Sequence, residues 1–114
     1  MEFNSIERTS IANVLFAMMH ADGNIDAREI MYFEQIKHAI AITNDEFERG
    51  KGEDLFRSLL ILRSISNEKK IALGLMLHEM INADGKTTNE EMKLLLVVAH
   101  AIGLVELIQK LENQ

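Results

Sequence analysis

The sequence contains no cysteine, no proline and no tryptophan, and only one tyrosine. Without cysteine there can be no disulfide, thiolate metal site or cysteine nucleophile. That fits a reducing compartment, and we expect a cytoplasmic protein. The missing tryptophan, the single tyrosine and the lack of any basic stripe leave little for base stacking or phosphate neutralisation, so no nucleic-acid partner is expected. The longest apolar stretch, Ile71 to Leu77 with Gly74 inside it, falls far short of the roughly 20 residues a membrane span needs. The start, "MEFNSIERTS", has neither a basic n-region nor an apolar h-region, so no secretory signal is expected. No glycine-framed serine elbow, G-x-x-x-x-G-K-[ST] phosphate loop or nucleophile–base–orienter set occurs. We therefore expect a protein that is not an enzyme.

What is present is an ordinary globular composition, 47% hydrophobic and 26% charged over 114 residues. That length suits one domain, residues 1–114, with one core. The net charge is −6, and residues 1–62 carry 11 acids against 6 bases. An acidic surface favours cations or basic protein faces.

The absence of proline and of period-two alternation points to an all-α bundle of six to seven helices. In the first helix Ile6, Ile11, Val14, Leu15, Met18 and Met19 keep a 3.6-residue period, with Asn4 and Glu7 spaced to cap its start. Gly23 supplies a left-handed turn at its end. A second helix follows Asp26, with Glu29 at the third position of a capping box and Ile30, Met31, Phe33, Ile36 and Ile40 as its apolar face. A short capped turn around Asp45–Arg49 and a Gly50-Lys51-Gly52 loop precede a helix carrying Leu55, Phe56, Leu59, Leu60 and Leu62. The next helix, capped by Ser66 or Asn67, offers Ile71, Leu75, Met76 and Met80 as core. Thr88-Asn89-Glu90-Glu91 is a further capping box. It opens a helix whose segment Leu94 to Ala99 is apolar all round and is expected at the centre of the bundle. Gly103 ends that helix, and Val105 to Leu111 form the last one.

Shifted by 62 residues, the chain matches itself at nine of 28 positions, including Leu15/Leu77, Met18/Met80, Asp22/Asp84, Glu29/Glu91 and His38/His100. We expect two similar helix-corner-helix units packed with pseudo-two-fold symmetry. The stretches "ADGNIDAREI", "ADGKTTNEEM" and "AHAIGL" resemble the TerB-like domain of bacterial tellurite-resistance proteins, over about residues 5–110. The same domain occurs beside some membrane-anchored J-domains, but without proline this chain cannot carry the His-Pro-Asp tripeptide of a J-domain. The resemblance implies a compact domain of roughly seven helices, acting in bacterial stress physiology. It also implies acidic helix corners that bind a divalent cation, here Asp22, Asp26, Glu29, Asp84 and Glu91. Thr88 stands opposite Asp26, which leaves the second corner one acid short.

Other site patterns fail on spacing. "HEMIN" at His78–Asn82 places asparagine where H-E-x-x-H needs its second ligand. Asp22, Asn24 and Asp26 begin like a calcium loop, but Ala27 and Phe33 stand where that loop needs glycine and glutamate. His20, His38, His78 and His100 are expected at helix surfaces or partly buried, bonded to backbone or water, and the methionines as core filler. The corners are harder to dismiss. Capping accounts for Asp26, Glu29, Thr88 and Glu91, whereas Asp22 and Asp84 each follow a helix C-terminus, where a carboxylate costs about 0.3–1 kcal/mol against the dipole. A calcium, magnesium or manganese ion would offset that cost. The competing expectation is a metal-free domain that presents its acidic face or an apolar groove to a protein partner.

Overall fold

The computed structural model describes residues 2–21, 23, 27–82 and 89–113. Within them the chain forms seven helices and no strand: α1 (Ser5–Met19), α2 (Ala27–Ala39), α3 (Asn44–Gly52), α4 (Leu55–Arg63), α5 (Asn67–Ile81), α6 (Asn89–Ala101) and α7 (Leu104–Glu112).

Capping chemistry sets the starts that are described. Asn4 and Glu7 form a capping box at α1, Thr43 and Glu46 form another at α3, Asp54 caps α4 and Ser66 caps α5. Each box satisfies two amide donors that the first helical turn would otherwise leave open.

The 62-residue repeat extends to the helix boundaries. Both α1 and α5 have 15 residues and both α2 and α6 have 13, with each start and end displaced by 62. The C-caps match as well, His20 at φ −99° and ψ 4° and Asn82 at φ −100° and ψ 5°. After each pair the chain turns through a left-handed residue, Ala41 at φ 62° or Gly103 at φ 82°, and enters a nine-residue helix. The unit is thus three helices, α1–α3 and α5–α7, with α4 inserted between the copies.

Packing is exchanged across the copies: α1 lies against α6, and α5 against α2. Glu7 and Lys69, themselves repeat mates 62 residues apart, meet directly, with Lys69 Nζ donating to Glu7 Oε1 over 2.9 Å. Equivalent positions touch only where a two-fold axis passes between them. Burial alone would raise the Glu7 carboxyl, but the Lys69 hydrogen bond, the Asn4 amide and the Lys69 charge together hold it below its ordinary range.

The core follows the same register. Ile11, Leu15 and Met18 of α1 are buried, and so are their mates Leu73, Leu77 and Met80 of α5. Ile71 and Leu75, expected as α5 core, face solvent instead, as do Ile30 and Met31 on α2. The central helix is α1, not α6. It lies between α3 and α4 and also touches α2, α5 and α6, and it buries an unbroken run from Thr9 to Leu15. The α6 segment expected at the centre leaves Leu96 50% and Val97 55% exposed, while Val98 faces the core. Continuous apolarity did not decide burial: α3 and α4 both pack closely on α1, whereas α4 only borders α6.

Gly50 explains how α3 comes so close to α1. It lies inside α3 rather than in a loop, and a Cβ there would stand 2.9 Å from Ala12 Cβ and 3.0 Å from the Thr9 carbonyl oxygen. Only glycine allows that approach. No single described helix is long and apolar enough to cross a membrane. By length and composition α6 and α7 pass together, but they are bent by 76° at their junction.

Candidate functional site

Each corner joins the first helix of a unit to the second. At the first, α1 ends at the His20 C-cap, and Gly23 takes φ 77° with its amide donating to the His20 carbonyl over 3.2 Å. Asp22, Asp26, Asp84 and Thr88 lie outside the described residues. Glu29 and Glu91 are described, each the third residue of its helix. That is the capping-box position anticipated from the spacing.

Both glutamates are buried, Glu29 to 3% and Glu91 to 2% exposure. Glutamate is rarely so enclosed without compensation. Here part of the compensation comes from the helix N-terminus, whose amides and dipole favour negative charge, and each glutamate has an interaction partner. Carboxylate oxygen is the kind of donor that a hard cation such as calcium, magnesium or manganese takes, and a thiophilic one does not. Among the described residues no three His, Cys, Asp or Glu side chains come together as a metal-holding group.

The third buried glutamate shows the ordinary solution to the same problem. Glu46 accepts from Arg8 Nη2 at 2.9 Å, Arg8 Nε at 2.9 Å and Ser5 Oγ at 2.6 Å, and its Oε1 accepts from the Thr43 amide. The Arg8 hydrogen bond, with help from Ser5 and Thr43, outweighs burial and holds its carboxyl at about 2. This network ties α3 to α1 and has no counterpart in the second unit, where the repeat mates of Arg8 and Glu46 are Lys70 and Ile108.

The histidines behave as expected of surface residues: His20 Nδ1 lies 2.9 Å from the Phe16 carbonyl, and the Asn82 side chain lies against His78. Met18 and Met80 are fully buried core. Sequence reasoning missed Tyr32, whose hydroxyl donates to Glu79 and links α2 to α5. Burial first, then that hydrogen bond and the Glu79 charge, push its hydroxyl up to about 12. Beside it lies a shallow depression lined by Arg28, Met31, Tyr32, Gln35 and Glu79.

No known protein-family model matches the chain, and no curated protein matches it. Among solved structures it is similar to the crystal structure of a protein of unknown function from Porphyromonas gingivalis W83. The TM-score is 0.77 at 20% identity, over 90% of this chain and 81% of the other. At that identity the likeness is one of fold alone.

Proposed function

We propose that this chain is a non-catalytic, TerB-like helical domain of bacterial stress physiology that binds a divalent cation at its acidic corners. The observation that carries the reading is the burial of Glu29 and Glu91 at repeat-equivalent places, each at the head of a helix. Asp22, Asp26 and Glu29 are the ligands of the first corner, Asp84 and Glu91 those of the second. With three acids against two, the first corner binds more tightly.

Calorimetric titration with calcium, magnesium and manganese, together with melting in cation and in chelator, tests the proposal. A cation at one hundred times its dissociation constant should add about 2.7 kcal/mol. Asp22→Asn should weaken binding yet leave the chelated protein as stable or slightly more so, because a charge opposed to the helix dipole is removed. Identical titration curves for the native protein, Asp22→Asn and Asp84→Asn would reduce the corners to helix caps.

A second reading is favoured by a different observation. Phe56 and Leu60 on α4, Leu75 on α5 and Leu96 and Val97 on α6 are all at least half exposed. So much apolar surface on a small chain fits a protein-interaction domain. On that reading the native chain retains a specific protein partner in the presence of chelator, and a variant carrying Phe56→Glu, Leu75→Glu and Leu96→Glu loses it. Equal retention by both chains would remove this reading.

A further inference from the structure

The two units are built alike but covered differently. In the first, α4 lies on α1 and α6. Asn13 of α1 is 5% exposed there, and its Nδ2 donates to Ser58 Oγ of α4 over 2.8 Å. Farther along, Arg63 of α4 donates to the Ala101 carbonyl at the end of α6. The pseudo-two-fold operation carries α1 onto α5 and α6 onto α2, so the place that mirrors the α4 seat lies on α5 and α2. No described helix fills it, and the exposures say so: Leu75, the repeat mate of Asn13, is 59% exposed, and Ala39, the mate of Ala101, is exposed as well. Ile71 and Leu75 are exposed on α5, and the Tyr32–Glu79 hydrogen bond ties α5 to α2 beside them.

We propose that the α2–α5 face is the seat of an amphipathic helix supplied by another polypeptide and bound in the way α4 is bound on the opposite side. The molecule itself shows what fits. α4 places Leu59 and Leu62 inward, with Leu55 half-buried one turn before them, so the partner carries apolar residues at i, i+4 and i+7. Where α4 uses Ser58 to meet Asn13, the partner meets Leu75 and therefore has an apolar residue at i+3. A serine there would be buried against Leu75 without the hydrogen bond it makes to Asn13. At i+8, the place of Arg63, a basic side chain reaches the exposed carbonyl end of α2, where the dipole also favours it. This is helix-in-groove recognition, and it deepens the interaction reading while being independent of cation binding.

The test uses the full chain and a synthetic peptide of residues 53–65 carrying Ser58→Ala, which contains neither tyrosine nor tryptophan. Tyr32, the chain's one tyrosine, reports occupancy of the face by its fluorescence, and calorimetry gives the stoichiometry. The expected result is saturable one-to-one binding in chelator, at least tenfold weaker for Leu75→Glu and for a peptide that keeps Ser58, and unchanged for Leu60→Glu on the outer face of α4. Both chain substitutions are at exposed positions, and circular dichroism checks that the variants fold. Absence of saturable binding, or binding that survives Leu75→Glu, overturns the seat, whereas retention of a protein partner by the native chain would still uphold the broader reading. Sedimentation of the chain alone gives the third outcome: self-association abolished by Leu75→Glu would assign the face to a second copy and overturn the proposed occupant.

Discussion

The first three helices and the last three are copies of one design held together by different means. In α1–α3 the joints are polar and close: Gly50 lets α3 approach the α1 backbone, Glu46 binds Arg8 and Ser5, and Asn13 reaches Ser58. In α5–α7 the repeat mates of Gly50, Glu46 and Asn13 are Glu112, Ile108 and Leu75, all exposed. There α7 is anchored instead by Leu104 packed into the space left open by Gly74. The copy covered by α4 can afford polar contacts because they are enclosed and satisfied. The uncovered copy keeps apolar residues on a face that has no cover within the described chain.

Substitutions that probe one copy and spare the other sharpen the contrast. The largest effect is expected at the α1–α3 crossing. Gly50→Val drives side-chain atoms into the Thr9 carbonyl and the Asn13 amide, both backbone groups that cannot swing aside, and should cost about 3 kcal/mol or more. Glu112→Val, its mate at an exposed helix end, should be neutral within about 0.5 kcal/mol. Denaturant unfolding of the two variants checks this, and equal losses would erase the distinction.

The Arg8–Glu46 pair comes next. Arg8→Ala leaves a buried carboxylate without its cation, a loss of about 3 kcal/mol at neutral pH. The pH dependence follows from the direction of the shift. Glu46 is held at about 2 against an ordinary 4.5, so the folded chain prefers the ionised form. Its contribution is complete above pH 4.5 and is lost as the pH falls toward 2. The size is on the order of 3 kcal/mol. Stability measured across that window should fall steeply in the native chain and more gently in Arg8→Ala.

A smaller effect of opposite sign in the two copies is expected at the left-handed turns. Ala41 adopts φ 62°, where its Cβ is strained, and Gly103 occupies the matching place at φ 82°. Both turns close with the same hydrogen bond back to the helix, Ala41 to His38 and Gly103 to His100. Ala41→Gly should therefore stabilise by about 0.5–1 kcal/mol, and Gly103→Ala should destabilise by a similar amount. The space around Gly103 is open, the nearest atom to an added Cβ being Lys70 Nζ at 3.5 Å, so the cost there is conformational.

Much of the fold was legible because capping residues state where helices begin, and because the repeat, once found, carries boundaries from one copy to the other. The error at α5 shows the limit of periodicity alone. Ile71 and Leu75 keep helical spacing as well as Leu73 and Leu77 do, and only the alignment with Ile11 and Leu15 tells which face is inward. The placement of α6 was misjudged for a related reason. How deeply a helix is buried depends on how many neighbours cover it, and α4, which covers α1, belongs to no repeat. At the corners, spacing gave the helix position of Glu29 and Glu91 but not their burial, which depends on packing across the pseudo-two-fold. The Glu7–Lys69 contact was hidden for the opposite reason: repeat mates of unlike charge look like a mismatch in sequence and become a pair only once the axis is known.

That contact offers the most direct test of two units related by a two-fold axis. If the axis passes between residues 7 and 69, exchanging their charges should preserve the interaction. The exchange also moves a capping box from α1 to α5, since Ser66 with glutamate at 69 repeats the Asn4–Glu7 pattern. The measurement is a double-mutant cycle by denaturant unfolding on Glu7→Lys, Lys69→Glu and the double variant. Each single change sets like charges face to face and should lose about 1 kcal/mol, and the double variant should be more stable than the sum of the singles by about 1–2 kcal/mol. Additivity within about 0.3 kcal/mol would mean that the two residues do not face each other across an axis, and would contradict the pseudo-two-fold on which the paired corners and the open helix seat both depend.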